Sequence, residues 1–308
     1  MTSNHNLRIL ITGCSPGGTG AALAIAFHNA GHHVYATARN LSKLQPLAAL
    51  GIEIMSLDVT SASSIAAAVS SVCSSILDGG GLDMLVNNAA GSYIMPIADV
   101  SLDDAKKLYD VNVWAHLAVT QAFLPLLLRS IDVSAGTGHQ AKAMIVNHTS
   151  VGSVSALPFQ GVYNSSKAAF AMLSQTMRLE LAPFGIRVID LKTAGVRTNL
   201  ISNSNANTKA ERLPKGSIFE PAREVVEKAM SQDDLREIGI SPEQWAIEVS
   251  ALLLGNNPPS VIWRGENALA ARVSSMLPAW LSEGVLKKMT KLTLVEAIIE
   301  KSRSRGAV

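Results

Sequence analysis

Several features are scarce in this chain, and each scarcity removes a class of protein. Cysteine occurs twice in 308 residues, at Cys14 and Cys73, which leaves no disulfide framework, and no Cys/His cluster has metal-ligand spacing. A reducing compartment is expected. Charged residues make up 16%, and 26 Lys plus Arg against 24 Asp plus Glu give a net charge of +2. That excess is too small for a polyanion-binding face, so nucleic acid is not an expected partner. Long hydrophobic runs are missing as well. The longest, 117–128, is too short to cross a bilayer and is interrupted by Thr120, Gln121 and Pro125. The polar opening, Met1 to Asn6, runs straight into Leu7-Arg8-Ile9-Leu10-Ile11, a pattern unlike a signal peptide. Apolar side chains are plentiful at 48%, which excludes a disordered chain and argues against a coiled coil.

The apolar residues are arranged in one repeated alternation. Short aliphatic or β-branched runs at 7–12, 33–37, 52–57, 84–87, 143–149 and 187–191 are separated by stretches of helical period at 20–30, 42–50, 61–77, 102–130 and 163–182. Several of the short runs are apolar on successive residues, as strands covered on both faces must be. The reading is an α/β fold, a doubly wound parallel sheet of Rossmann type with a C-terminal helical extension. Residues 131–142 read as a surface loop and 199–221 as a flexible lid, with a further strand candidate at 260–263. The chain is thus expected to be one domain over 1–308. Its cofactor-binding and catalytic core is 1–198, and 199–308 forms the substrate lid and extension.

Three sites carry chemistry. The first strand runs into Thr12-Gly13-Cys14-Ser15-Pro16-Gly17-Gly18-Thr19-Gly20 and opens a helix. Glycines there let backbone approach a pyrophosphate, which the positive helix end attracts. At the end of the second strand, where NAD-binding folds place a carboxylate against the ribose, stands Ala38-Arg39-Asn40. A guanidinium pairs with a 2′-phosphate, so NADPH/NADP+ is the expected cofactor; a solvated capping arginine is the bland alternative. Finally, Tyr163 and Lys167 are i, i+4 on a helix, and Ser150 closes a strand at the sheet edge where such folds bind ligands. An ammonium beside a phenol of ordinary pKa near ~10 is expected to lower it, making an acid/base pair. The Ser150 hydroxyl can hydrogen-bond a substrate carbonyl.

Together these residues resemble the short-chain dehydrogenase/reductases. The likeness runs over 7–199. It rests on the glycine loop, Leu57-Asp58-Val59, Asn87-Asn88-Ala89-Ala90-Gly91, Val111-Asn112-Val113, Ser150 with Tyr163-x-x-x-Lys167, and Gly195-Val196-Arg197-Thr198. The resemblance implies that Tyr163 is the general acid in ketone reduction and that Ser150 orients the carbonyl. It also implies that Lys167 binds the nicotinamide ribose and that Asn112 holds a proton-relay water. Cofactor contacts would come from Gly13, Ser15, Gly18, Thr19 and Gly20 in the loop, then Arg39, Asp58 and Val59. Asn88, Tyr163, Lys167, Val196 and Thr198 would complete them. The chain departs from the family pattern in a glycine loop one residue longer, in the extra Ala90, and in Ala194-Gly195 where Pro-Gly is usual.

Within the family the chain is most similar to fungal NADPH-dependent 1-acyldihydroxyacetone-phosphate reductases, through Leu157-Pro158-Phe159-Gln160-Gly161-Val162-Tyr163, Trp263-Arg264-Gly265 and Leu277-Pro278-Ala279-Trp280. The function implied is reduction of a ketone, either an acyldihydroxyacetone phosphate or a fungal secondary-metabolite ketone. Alternatives are an NADP-dependent dehydrogenase of a steroid- or polyketide-like alcohol, and a non-redox cofactor-binding protein, isomerase or cyclase on the same fold. Arg197, Lys209, Arg212 and Lys215 in and beside the lid could meet a phosphate. Stretch 268–291 mixes Leu, Met, Val and Trp with Arg272, Lys287, Lys288 and Lys291. Its preferred account is a helix pair packed on the substrate cleft or on a second copy in a homo-oligomer. The alternative is peripheral contact with a membrane or lipid droplet. The expected location is the cytoplasm, with the surface of the endoplasmic reticulum or lipid droplets as the alternative.

Overall fold

The computed structural model describes residues 6–136, 143–199, 212–233 and 238–306. Seven strands form one parallel sheet: β1 Arg8–Ile11, β2 His33–Ala38, β3 Glu53–Ser56, β4 Met84–Asn87, β5 Met144–His148, β6 Arg187–Thr193 and β7 Val261–Arg264. Their spatial order is β3-β2-β1-β4-β5-β6-β7, so the chain reverses direction across the sheet between β1 and β4, and the crevice above that point is where ligands bind in such folds. The central strands are buried on successive residues, with Ile9, Leu10 and Ile11 wholly enclosed, because helices cover both faces.

On one face lie α1 Thr19–Asn29 and Pro242–Leu253, the latter designated α8 by chain order. The small residues Ala21, Ala22 and Ala24 of α1 join the same apolar cluster as Trp245, Ala246 and Val249. On the other face are α3 Ala62–Ser75, α5 Ala115–Gly136 and α6 Gly161–Leu181, whose Val72, Phe123 and Phe170 meet Leu10, Leu85 and Ile145 of the sheet. Each such large apolar side chain removed from water contributes about 1.5–3 kcal/mol. Short α2, Gln45–Ala48, follows a 3-10 turn at Leu41–Leu44.

Helix α4, Leu102–Tyr109, passes through a π-helical turn at Asp110–Trp114 directly into α5. Stretch Leu102–Ile131 is long and apolar enough to cross a membrane by length and composition; half of its apolar 18-residue segment is buried in the protein, as in a core helix. Where a loop was expected from 131, Ile131 packs on the core and α5 continues to Gly136; residues 137–142 lie outside the described residues.

A third apolar cluster stands at the substrate side. Leu213, Val226 and Met230, from the segment leading to α7 (Arg223–Met230) and from α7 itself, meet Ile94 and Phe159 and also Val295, Leu292, Ile298 and Ile299 of α11 (Leu292–Gly306). The helix packed on this substrate-side cluster is thus α11, whereas 268–291 was the stretch expected to pack on the substrate cleft or on a second copy. Within that stretch, on and between α9 (Ala268–Ser274) and α10 (Ala279–Met289), Leu269, Val273, Met276, Trp280 and Val285 stay exposed.

Candidate active site

The carboxyl ends of β1, β2, β4 and β5 open into a cleft of about 770 Å³. Its floor begins where β1 ends. The Thr12 hydroxyl accepts from the backbone N–H groups of Asn88 (2.9 Å) and Ala89 (3.0 Å), pulling the segment after β4 against the first turn. The approach excludes side chains: a Cβ on Gly13, whose φ is +76°, would come within 2.7 Å of Ala89 Cα. One on Gly20 would come within 2.5 Å of Asn88 Nδ2 and 2.6 Å of the Gly13 oxygen.

Helix α1 begins at this floor with Gly18 as its cap, without a side-chain capping bond and without an acidic residue in its first turn. By contrast, Ser61, Ser101 and Ser241 cap α3, α4 and α8. The leading N–H groups of α1 are thus offered to an anion. This uncapped helix end beside Gly13 and Ser15 fits a dinucleotide pyrophosphate.

Gly13, Ser15, Gly18 and Thr19 line the cleft, whereas Gly20 lies beneath it as a packing glycine. The Thr19 hydroxyl donates to Asn88 Oδ1 at 2.9 Å. At one end Arg39, Asp58 and Val59 are joined by Lys43, which sits in the 3-10 turn after β2 and was not singled out from the sequence. The hydroxyl and backbone N–H of Thr60 hold the Asp58 carboxyl below its usual range against opposing burial, and Arg39 adds to the effect.

Asn88, Ser150, Tyr163, Lys167, Val196 and Thr198 line the rest. Strand β5 delivers Ser150, whose Oγ accepts from Gly152 N at 3.0 Å and hydrogen-bonds Tyr163. Lys167 is buried one helical turn after Tyr163, and its Nζ donates to the His148 carbonyl at 3.0 Å.

The electrostatics of Tyr163 differ from the expectation. Burial raises its pKa above the ordinary tyrosine value, and the bond to Ser150 works against that. Burial, not the Lys167 charge, governs this group, because desolvation by the walls of the site disfavours the phenolate. The lysine is itself pushed down to about 8 by burial, with Asp190 opposing. Asn112 is fully buried in the π turn behind the cleft. Its Oδ1 accepts from Gly91 N (2.8 Å), and its Nδ2 donates to the Gly91 carbonyl (3.1 Å) and Ser166 Oγ (3.0 Å), so its side chain fixes the loop that borders the site.

His148 is another lining residue not singled out from the sequence. Its Nδ1 lies 2.8 Å from Asn88 Oδ1, its Nε2 lies 2.7 Å from Thr193 Oγ1, and its ring stacks on Trp245. Burial, then the Lys167 charge, push its pKa to about 3, so the imidazole is neutral. The lid cations expected to meet a phosphate are placed elsewhere: Arg197, Arg212 and Lys215 are exposed and do not line the cleft, and Lys209 lies outside the described residues.

The sequence and the fold have known counterparts. A family model described as short chain dehydrogenase matches residues 8–209. The chain is 48% identical over 288 residues to a short-chain dehydrogenase/reductase of Pestalotiopsis microspora, covering 94% of this chain and 95% of the relative. It is 33% identical over 294 residues to the NADPH-dependent 1-acyldihydroxyacetone phosphate reductase of Schizosaccharomyces pombe, covering 92% and 94%. Among solved structures it resembles a short-chain dehydrogenase from Streptomyces avermitilis with a TM-score of 0.70 at 24% identity, covering 94% of this chain and 97% of that one. A short chain dehydrogenase from Burkholderia cenocepacia in complex with NADP gives a TM-score of 0.66 at 20% identity, covering 92% and 98%. At such identities the structural likeness speaks for the fold, and the sequence matches carry the assignment: the chain belongs to the short-chain dehydrogenase family of oxidoreductases.

Proposed function

We propose that this protein is an NADPH-dependent ketoreductase that converts a ketone to a secondary alcohol. The observation that carries the reading is one cleft with two chemically distinct ends, Arg39 and Lys43 at one and Ser150, Tyr163 and Lys167 at the other. Two cations at the far end of β2 suit a 2′-phosphate. A bound NADPH supplies the hydride.

The chain's own residues supply the proton and the orientation. Tyr163, kept protonated by burial, is suited to donate a proton to the oxygen of the reduced carbonyl. Ser150, tied to Tyr163, offers a second polar group to the same oxygen. Lys167 brings a cation to the ribose side of the site, and Asn112 holds Gly91 at its border.

The lining also informs the substrate. Among the described residues, the cations lining the cleft are Arg39, Lys43, Lys107 and Lys167. Lys107 is paired with Asp104 at 2.9 Å. With the first two assigned to cofactor and Lys167 to catalysis, the reading favours an uncharged ketone over a phosphorylated one. A screen of ketones that includes an acylated dihydroxyacetone phosphate, followed by loss of reduced-nicotinamide absorbance, tests it. Turnover of uncharged ketones with NADPH is expected. No NADPH oxidation with any ketone sinks the reductase reading, and a preference for the phosphate ester sinks the substrate class.

A further inference from the structure

Behind the catalytic turn lies a buried ion pair that the reaction as outlined does not use. Asp190 and Lys192 stand two residues apart on β6 and so point to one face of the sheet. Both are almost wholly enclosed, with side chains 2% and 5% exposed, and Lys192 Nζ lies 2.8 Å from Asp190 Oδ2. The other carboxylate oxygen accepts from the Thr149 hydroxyl, in the residue immediately before Ser150. Lys192 Nζ also donates to Ser153 Oγ at 2.8 Å and lies 5.7 Å from the ring centre of Trp263, its register partner on β7. Ser153 N in turn donates to the Ser150 carbonyl at 2.9 Å. The pair therefore grips the Ser150 turn at Thr149 and at Ser153.

Its second connection runs to Lys167. Lys167 Nζ donates to the carbonyl of His148, while Asp190 accepts from the hydroxyl of the next residue, Thr149. The charged and titratable groups that act on the ammonium are Asp190 from β6, His148 from β5 and His116 from the start of α5, with Tyr163 one turn away on its own helix. Both histidines are buried, and burial holds each pKa below the ordinary range. Asp190 is thus the anion in this group. Two formal charges inside a sheet are costly to desolvate, and an apolar pair in their place is often neutral or stabilising. Stability alone gives this pair no reason to be there.

We propose that Asp190 and Lys192 are positioning residues for the reduction: the Asp190 carboxylate supports the ammonium of Lys167, and Lys192 anchors the turn that presents Ser150. The inference rests on the reading of Lys167 as part of an NADPH site, and it extends that site to a layer that touches neither cofactor nor substrate.

The test uses Asp190→Asn, which keeps the shape and loses the charge, and the double variant Asp190→Asn/Lys192→Gln, in which both charges go together. Two profiles are read against pH: kcat/KM for ketone reduction, and NADPH affinity from nicotinamide fluorescence, which needs no substrate. Loss of an opposite charge lowers a lysine pKa, by about one unit where the two groups are close neighbours. In Asp190→Asn the alkaline limb of each profile is expected to move to lower pH by about that much, and in the double variant, where the Lys192 charge is lost as well, by a smaller amount in the same direction. The double variant is expected to melt near the wild-type temperature, so the displacement there is not a symptom of poor folding. A folded Asp190→Asn variant whose limbs coincide with those of the wild type overturns the proposal. A displaced NADPH-affinity profile supports it even if no ketone is turned over, a result that would count against the reductase reading alone. A wild type that binds no NADPH overturns both.

Discussion

The imidazole of His148 donates from Nδ1 to the side-chain oxygen of Asn88, 2.8 Å away. The direction follows from the amide: Asn88 Nδ2 donates to the carbonyls of Thr12 (2.8 Å) and Gly13 (3.1 Å), so Oδ1 faces the ring as acceptor. Nε2 then accepts from the Thr193 hydroxyl. One neutral ring thus connects the glycine-rich turn with the end of β6 across the floor of the cleft.

His148→Leu leaves the Thr193 hydroxyl short of a partner and Asn88 Oδ1 with the Thr19 hydroxyl alone, and it loses the Trp245 stack. The expected cost is about 2–4 kcal/mol of stability, with weaker NADPH binding, measured by denaturant unfolding and fluorescence titration. The variant also changes the acid response. The unfolded histidine takes a proton near its ordinary pKa of 6.5, whereas the folded one refuses it until about pH 3. The wild type therefore loses stability from this group as pH falls through that window, and the leucine variant does not. Parallel stability curves for the two proteins between pH 6.5 and 4 would contradict the assignment.

Replacing Tyr163 by Phe removes the proton donor and keeps the ring. Ketone reduction is expected to fall by about 10²–10⁴, while NADPH affinity stays within about twofold. Turnover within tenfold of the wild type would mean that another group delivers the proton.

Whether each part of the site is legible in the sequence depends on how local its geometry is. Tyr163 and Lys167 lie one turn apart on α6, so spacing alone places them together, and the alternation of apolar runs gives the parallel sheet. Electrostatics are less accessible. That burial dominates at Tyr163 depends on walls from several elements, and spacing alone makes Lys167 the stronger influence. Asp190 and Lys192 interrupt an apolar strand in a way that reads as an exposed edge. They are enclosed because β7, with Trp263, adds to the sheet beyond them. His148 has no local signal at all, since its partners Asn88, Thr193 and Trp245 come from three separate segments. Lys43 was within reach: it follows Arg39 by four residues, in the 3-10 turn that opens after β2.

Reversing the charge at Arg39 tests the cofactor end. With Arg39→Asp, a charge-assisted contact of about 1.5–3 kcal/mol becomes a repulsion. The ratio of kcat/KM for NADPH over NADH is expected to drop at least tenfold to a hundredfold. Lys43→Ala should lower the same ratio by a smaller factor. If Arg39→Asp leaves the ratio unchanged, the 2′-phosphate is not read at this end of the cleft.

Lys167→Met separates stability from activity. Burial lowers the Lys167 pKa from 10.5 to about 8, against the pull of Asp190. The folded protein therefore holds this proton less tightly than the unfolded chain does. That penalty is present in full below about pH 8 and is relieved as pH rises toward 10.5. Methionine has similar length and no charge, so at pH 7 the variant is expected to be more stable than the wild type by about 1–3 kcal/mol. The lost bond to the His148 carbonyl pulls the gain toward the lower figure. The advantage should shrink through pH 8–10 as the wild-type lysine loses its proton, and ketone reduction should be abolished throughout. A variant that is less stable than the wild type at pH 7, or whose advantage grows with pH, would show that Lys167 is not held at the expense of stability.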